Sequence, residues 1–257
     1  MTAATRWFRT WPDSSQFVAP RLLTRLLIPL AHLDDLIGAY ETLLDAPADL
    51  RMPIPDFGGL ELSAIGGLLL IASERPFTDI QRATRYSQVV PSLHAAIENS
   101  LAAGAEVLEP VEKIVPGARA RLRYPDGSLA ELVEHRTITG EQPHPAPPPG
   151  RHPAVRLLAR RSVPAAIYPD TVEFYERILD APAASIPNIG ITATRIGGLL
   201  LVADDDAEES DQPRAALWTN PETPADELTC HPPRAGTTRP QVTLPGGLVA
   251  ETWTATP

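Results

Sequence analysis

Alternating apolar and polar positions predict strands and amphipathic helices in a regular order. Leu22–Ile28 is an almost unbroken apolar run that ends at a proline, which favours a short strand. Asp34–Leu44 carries apolar side chains at helical spacing, and its first residue is a suitable N-cap. Leu60–Ala64 and Gly67–Ala72 predict two strands joined by a turn that contains glycine.

The following stretch of chain repeats this order with an additional strand at its end. A glycine after the second predicted helix is a typical C-cap, and a Pro-Asp-Gly turn joins the last two strands. The predicted elements are a strand over Tyr86–Val90, a helix over Leu93–Ala103, and strands near Glu106–Leu108, Arg119–Tyr124 and Leu129–Val133. The pattern indicates units of the order β-α-β-β-β, two in each half of the chain.

Three segments of the first half match segments of the second half in the same order. The matches have offsets of 135, 131 and 120 residues. They pair HLDDLIGAYETLLDAPA (His32–Ala48) with IYPDTVEFYERILDAPA (Ile167–Ala183), IGGLLLIA (Ile65–Ala72) with IGGLLLVA (Ile196–Ala203), and YPDGSLAE (Tyr124–Glu131) with LPGGLVAE (Leu244–Glu251). Ordered matches with shrinking offsets indicate that one unit was duplicated and later lost loop residues.

A proline-rich segment separates the two repeats. Gln142–Pro153 reads QPHPAPPPGRHP, and prolines at this density favour an extended, stiff spacer. We predict an N-terminal strap over residues 1–20, a first domain over 21–135, a linker over 136–154 and a second domain over 155–257. The strap carries three aromatic residues and is expected to pack outside the first domain, with a lid over a pocket as the alternative.

Composition narrows the classes of function. The chain has 257 residues, a formal charge of −10 and one cysteine, Cys230. It contains no apolar run of about 20 residues, as a membrane-spanning helix requires, and its acidic balance argues against nucleic-acid binding. A single cysteine excludes an internal disulfide framework. We therefore expect a cytoplasmic monomer or homodimer whose partner is a small molecule rather than nucleic acid or a membrane.

The ordered segments together resemble the vicinal oxygen chelate superfamily, which includes glyoxalase I, bleomycin-resistance proteins and extradiol dioxygenases. The likeness covers residues 21–135 and, more weakly, 156–254, where Pro221–Leu228 is a short stand-in for a helix. The resemblance implies an α+β fold in which four βαβββ units form two cup-shaped, eight-stranded mixed sheets.

The resemblance also implies a divalent metal in each cup, but the matching positions lack the usual ligands. They are Arg25, Arg85 and Glu131 in the first half and Arg160, Arg214 and Glu251 in the second half. A guanidinium offers no lone pair to a metal, and a catalytic metal needs about three protein ligands. We therefore expect no metal and no other cofactor, with the arginines forming charge-assisted pairs to the glutamates instead.

The same positions supply the candidate site residues. Glu131 and Glu251 are the candidate catalytic acid/base groups. The candidate ligand-binding residues are Arg25, Arg85, Tyr86, Arg160, Arg214, Trp218 and Trp253. An alternative leaves the two tryptophans as core filling and the Arg25–Glu131 pair as a structural plug.

Three functions remain open at this point. The first is a metal-independent binding protein for a small apolar or aromatic compound, of the sequestration or self-resistance type. The second is a metal-independent cyclase, isomerase or lyase acting on a natural-product intermediate, and the third is a degenerate structural or interaction protein. An open cavity with a raised carboxyl pKa would favour the enzyme, an open cavity without one the binding protein, and a packed cavity the third.

Overall fold

The computed structural model describes residues 7–9, 13–54, 59–114, 117–137, 155–186, 191–205, 214–219 and 240–254. Over these residues the chain forms two curled mixed sheets and few helices, which confirms the predicted α+β class. No helix in the described ranges is long and apolar enough to cross a membrane. Most of the expected linker, the Pro221–Leu228 segment and Cys230 lie outside the described residues.

The first sheet contains two β-α-β-β-β units. Its strands are β1 (Trp7–Phe8), β2 (Arg21–Pro29), β3 (Leu50–Ile54), β4 (Leu60–Ile65), β5 (Leu68–Ser73), β6 (Thr84–Val89), β7 (Glu106–Ile114), β8 (Gly117–Arg123) and β9 (Leu129–His135), with helices α1 (Leu33–Leu44), α2 (Asp79–Ala83) and α3 (Leu93–Ala102). The strand order is β1-β3-β4-β5-β2-β6-β9-β8-β7. The first strand of each unit pairs parallel with the last strand of the same unit, and β2 and β6 join the units antiparallel.

The N-terminal segment adds a ninth strand to the expected eight. Trp7 and Phe8 pair antiparallel with β3 at the edge of the sheet. Phe8 is buried, and its ring meets the His135 ring edge-on with 6.0 Å between centroids. One strap side chain therefore enters the apolar cluster of the concave face, whereas the strap was expected to pack outside the domain. The third aromatic residue of the strap, Trp11, lies outside the described ranges.

The second sheet repeats this plan in shorter form. Its elements are β10 (Val155–Val163), α4 (Tyr168–Leu179), β11 (Ala183–Ser185), β12 (Ala193–Ile196), β13 (Leu199–Ala203), β14 (Ala215–Thr219), β15 (Gln241–Thr243) and β16 (Val249–Thr254). The strand order is β11-β12-β13-β10-β14-β16-β15. The described part of the last unit contributes three strands, so this sheet has seven where eight were expected.

The convex faces of the two sheets pack against each other, with α1 and α4 between them. Apolar residues of α1, Leu36, Tyr40 and Leu44, share one core cluster with Leu157, Leu217 and Val242 of the second sheet. Apolar residues of α4, Phe174, Tyr175 and Ile178, share another with Tyr86, Tyr124 and Leu132 of the first sheet. Because alternate residues of a strand point to opposite faces, the residues between these positions line the concave faces, which open away from each other.

The repeated IGG motif explains how closely the halves approach. Its first glycine, Gly66 or Gly197, turns the hairpin at a φ of 56° or 54°. Its second glycine lies against the first strand of the other half. A Cβ on Gly67 would lie 2.1 Å from the Leu157 carbonyl oxygen, and a Cβ on Gly198 would lie 3.3 Å from that of Leu22.

In each half, the turn before the last strand lies against the first strand of the other half, and these two equivalent contacts differ in their polar groups. In one, the buried Asp126 carboxylate accepts hydrogen bonds from Arg161 Nε at 3.0 Å and from the Tyr175 hydroxyl at 3.0 Å. Burial, reinforced by Asp126, raises the pKa of Tyr175 well above its usual value, so its hydroxyl remains a donor. The equivalent pair in the other contact is Leu26 and Gly246, where a Cβ on the glycine would lie 3.0 Å from the leucine. A buried ion pair on one side thus corresponds to an apolar contact on the other.

We predict that alanine substitutions at three glycines separate close approach from helix propensity. Gly67→Ala should destabilise by about 1–3 kcal/mol or more, because backbone must move, and Gly198→Ala should cost less. Gly38→Ala lies on the exposed side of α1 with no atom within 4 Å of its new Cβ, and it should stabilise by about 0.5–1 kcal/mol. Urea unfolding followed by circular dichroism measures all three. A Gly67→Ala variant as stable as the parent chain would contradict the packing described here.

Candidate functional site

The concave face of the first sheet encloses a cavity of about 350 Å³. One side of the cavity is aliphatic, with side chains from the first unit of the sheet. Residues that form this side include Leu23, Met52, Ile54, Leu62, Leu69 and Ile71. Ile80 and Gln81 of the short helix α2 also line the cavity. A volume of this size is at the lower end of the range for small-molecule sites.

The other side of the cavity is charged. Arg25 on β2, Arg119 and Arg121 on β8, Glu131 on β9 and Glu109 on β7 all line it. Strands β8 and β9 are antiparallel neighbours, and their register places Arg121 directly opposite Glu131. The cavity therefore joins an aliphatic wall to a compact cluster of arginines and glutamates.

Three arginines hold the Glu131 carboxylate. Its Oε2 accepts from Arg25 Nη1 at 3.1 Å, and its Oε1 accepts from Arg119 Nη1 at 2.9 Å and Arg121 Nη2 at 3.4 Å. Burial by itself would raise the pKa of Glu131, but Arg25, Arg121 and Arg119 outweigh it and hold the pKa below its usual range. Glu131 is therefore ionised at neutral pH and is poorly suited to act as a general acid.

Two further glutamates from the edge strand β7 complete the cluster. Glu109 Oε2 lies 2.5 Å from Arg121 Nη1 and 3.5 Å from Arg119 Nη1. Glu112 Oε2 lies 2.6 Å from Arg119 Nη2, on the outer side of that guanidinium. These four residues were not among the candidates from the sequence. The alternation of arginines in GARARLR on a predicted strand is the signal that could have identified two of them.

Only some of the candidate residues of the first half lie together in the structure. Arg25 and Glu131 form an ion pair in the cavity, and counting from the matched segments of the repeat had paired these two positions. Among the described residues, the arginines that donate hydrogen bonds to Glu131 are Arg25, Arg119 and Arg121. Arg85 was expected to be the second arginine beside Glu131, and Arg119 and Arg121 take that place. Arg85 is the extra residue of a β-bulge between Thr84 and Tyr86 and is buried.

The expectation that Tyr86 lies on the wall of the cup is wrong. The concave positions of β6 are Ser87 and Val89, and Tyr86 points to the convex face, where it packs in the core between the two halves. Burial raises the pKa of its phenol, and the nearby Arg85 guanidinium opposes that rise. The physical reason is the two-residue period of the strand after the bulge.

Among the described residues, large side chains pack inside the second cup. Arg160 Nε donates to Glu251 Oε2 at 2.7 Å, and Trp253 Nε1 donates to the same oxygen at 3.0 Å. All three residues are almost completely buried. Trp253 belongs to a core cluster with Leu158, Leu200, Val202 and Ala216, and Trp218 packs against that cluster. This placement agrees with the alternative in which the two tryptophans fill the core of the smaller half.

Arg214 lies elsewhere than the second cup. Its Nη1 donates to the Arg82 carbonyl oxygen, 3.4 Å away in the first half. It lines a shallow junction between the halves together with Arg25, and its charge contributes to lowering the pKa of Arg25, for which burial is the largest cause. Arg214 was expected in the second cup, and it lies instead at the contact between the halves.

Comparison with solved structures identifies the fold. No protein-family model and no curated protein matches the sequence. The 2,2′,3-trihydroxybiphenyl 1,2-dioxygenase of Sphingomonas wittichii strain RW1 superposes over 92% of this chain and 91% of its own, at 12% identity and a TM-score of 0.53. The chain has the vicinal oxygen chelate fold.

Two other solved structures are also similar to the chain. An uncharacterised protein from Methanosarcina mazei is 33% identical, over 46% of this chain and 94% of its own, with a TM-score of 0.41. The Mn(II)-bound glyoxalase from Novosphingobium aromaticivorans is 12% identical, over 97% of this chain and 83% of its own, with a TM-score of 0.47.

The residues in the first cup do not fit the divalent metal that the vicinal oxygen chelate fold implies. Arg25, which the resemblance matches to a metal ligand on the first strand, has no lone pair to donate. Glu131 is already bonded to three guanidinium groups. In the parts of the chain that the structure describes, no three His, Cys, Asp or Glu side chains converge as a metal site.

We predict that the chain does not take up a metal in this cup. Protein incubated with Mn²⁺, Zn²⁺, Fe²⁺ or Ni²⁺ and then desalted should carry far less than one ion per chain by elemental analysis. The melting temperature should not rise with the added ion, because a ligand that binds only the folded state would raise it. One tightly bound ion per chain together with a higher melting temperature would contradict the assignment.

We predict that Glu131→Gln destabilises the chain in a pH-dependent way. Removing one partner of a buried ion cluster typically costs about 3–5 kcal/mol, because the arginines lose their counter-charge. Since the folded-state pKa of Glu131 is lowered, its contribution is present above the unfolded pKa of about 4.3 and is lost as the pH falls through the folded value. Urea unfolding of both proteins should show the difference shrinking below about pH 4.

The control for this comparison is Glu98→Gln. Glu98 is exposed on α3 and pairs only with the exposed His94 at i,i+4 in the described contacts, so its replacement should change stability by less than about 0.5 kcal/mol. A Glu131→Gln penalty that stays constant from neutral to acid pH would show that the carboxylate charge is not its cause.

Proposed function

We propose that the chain binds one small, largely apolar molecule in the first cup, without a metal. The observation that carries the proposal is the cavity of about 350 Å³, whose wall is aliphatic on one side and charged on the other. Cavities that combine an apolar wall with a few fixed polar groups are the usual form of a small-molecule site.

The electrostatics of the cavity favour binding over acid/base catalysis. An enzyme of the cyclase, isomerase or lyase type would need a carboxyl group whose pKa lies near the operating pH. Glu131 has a lowered pKa and is engaged by three arginines, so it is a weak base and is not a proton donor at neutral pH. We therefore place this protein with binding proteins of the sequestration or self-resistance type rather than with enzymes.

The two halves have different parts in this proposal. The second cup is packed around Trp253 and the Arg160–Glu251 pair, which suits a structural role. The apolar side of the first cup is aliphatic, because the candidate tryptophans, Trp218 and Trp253, lie in the other half. One ligand per chain, recognised mainly by aliphatic contacts, follows from this difference.

We predict that the neutral fluorescent probe N-phenyl-1-naphthylamine binds at one site per chain. Leu62→Trp places a larger side chain in the aliphatic wall and should weaken probe binding by about tenfold or more, which corresponds to about 1.4 kcal/mol of lost contact. Leu101→Trp is the matched control, because Leu101 is exposed on α3, 45% of its surface being accessible. It should bind the probe like the parent chain.

Fluorescence titration gives the affinity and stoichiometry for all three proteins. Failure of the probe to bind the parent chain, or equal binding by the Leu62→Trp variant, would overturn the proposed site. Native mass spectrometry of protein purified from its own host can then identify the natural ligand as a mass carried by the parent chain and lost from the Leu62→Trp variant.

A further inference from the structure

The charged side of the cavity defines the kind of ligand more closely. We propose that the ligand is an amphipathic monoanion, whose negatively charged head replaces the Glu109 carboxylate at Arg121 and Arg119 while its apolar body lies on the aliphatic wall. This inference rests on the proposed function, since it concerns the same cavity.

Two buried arginines of the charged side each have one donor that lacks an acceptor among the described residues. The side chains of Arg25 and Arg121 are 3% and 2% exposed, and both line the cavity. The Nε atom of each is buried and makes no hydrogen bond to any residue that the structure describes. A buried guanidinium N–H without an acceptor is unfavourable, and an anionic oxygen is the acceptor that guanidinium groups bind best.

The two cavity glutamates differ in how firmly they are held. Glu131 lies on an inner strand, is 15% exposed and bonds to three arginines. Glu109 lies on the edge strand β7 between two irregularities of the register, is 35% exposed, and has only the contacts to Arg121 and Arg119 among its described pairs. Glu109 can therefore turn to solvent at lower cost than Glu131, which would leave a carboxylate-sized position open beside Arg121.

The charge count supports one negative charge on the ligand. With Glu109 turned outward, Arg25, Arg119 and Arg121 face Glu131 and Glu112, which pairs with Arg119 from the outer side. Three positive charges then face two negative charges, so a monoanion restores neutrality within the cluster. A neutral ligand would instead leave Glu109 where it is.

A pair of matched dyes tests this inference. 8-Anilinonaphthalene-1-sulfonate has the ring system of N-phenyl-1-naphthylamine with one added sulfonate. The parent chain should bind the sulfonate dye about tenfold more tightly than the neutral dye at low salt, and Leu62→Trp should weaken both. Arg121→Gln should weaken binding of the sulfonate dye far more than binding of the neutral dye, and so remove the preference for the sulfonate dye.

Glu109→Gln is the decisive variant, because it removes the competing negative charge but keeps an amide oxygen that can accept a hydrogen bond from the buried Arg121. It should strengthen binding of the sulfonate dye by about three- to tenfold, and by clearly more than it changes binding of the neutral dye. Glu112→Gln is the matched control: it also removes a charge from Arg119, but from the outer side, and its effect should be clearly smaller.

The outcomes separate this inference from the proposed function. Equal affinity for the two dyes, equal gains from Glu109→Gln and Glu112→Gln, or sulfonate-dye binding that Leu62→Trp does not weaken would each overturn the monoanion inference. The binding function would still stand if the parent chain binds the neutral dye and the Leu62→Trp substitution weakens that binding. Loss of neutral-dye binding to the parent chain would instead remove the function itself.

Discussion

The close approach of β2 and β10 constrains the rest of the molecule. Each of these strands passes the hairpin turn of the other half, and at Gly67 the space left beside the Leu157 carbonyl oxygen admits no Cβ. This contact joins the convex faces of the sheets and encloses α1 and α4 between them. Because the convex faces pack against each other, the concave faces are turned outward, one in each half.

The two concave faces have diverged in side-chain volume and charge. In the second, a single tryptophan and an arginine share one glutamate, and aliphatic side chains close around them. In the first, the corresponding glutamate is surrounded by three arginines, and the facing wall leaves a cavity. The same pair of positions, Arg25 with Glu131 and Arg160 with Glu251, thus lines a cavity in one half and is part of a core in the other, according to what surrounds it.

The sequence predicted the repeat, the α+β class and the meeting of Arg25 with Glu131, because each depends on local pattern or on counting from matched segments. It did not predict Arg119 and Arg121 as partners of Glu131, because their position depends on the register between β8 and β9. Tyr86 was assigned to the wrong face, since a bulge at Arg85 precedes it and a slip of one residue reverses the face of a strand. Whether a cup is open or filled depends on side-chain volumes in three dimensions, which no strand pattern records.

The position of α1 and α4 between the two sheets bears on how such a chain arose. A half-length ancestor with this packing would expose the apolar side of its helix unless a second copy covered it, and the hairpin contact would then occur twice around a two-fold axis. After fusion of the two copies, equivalent positions of the two halves no longer need to carry the same residue. Asp126 and Arg161 could then appear opposite Gly246 and Leu26, an asymmetry that identical subunits cannot encode.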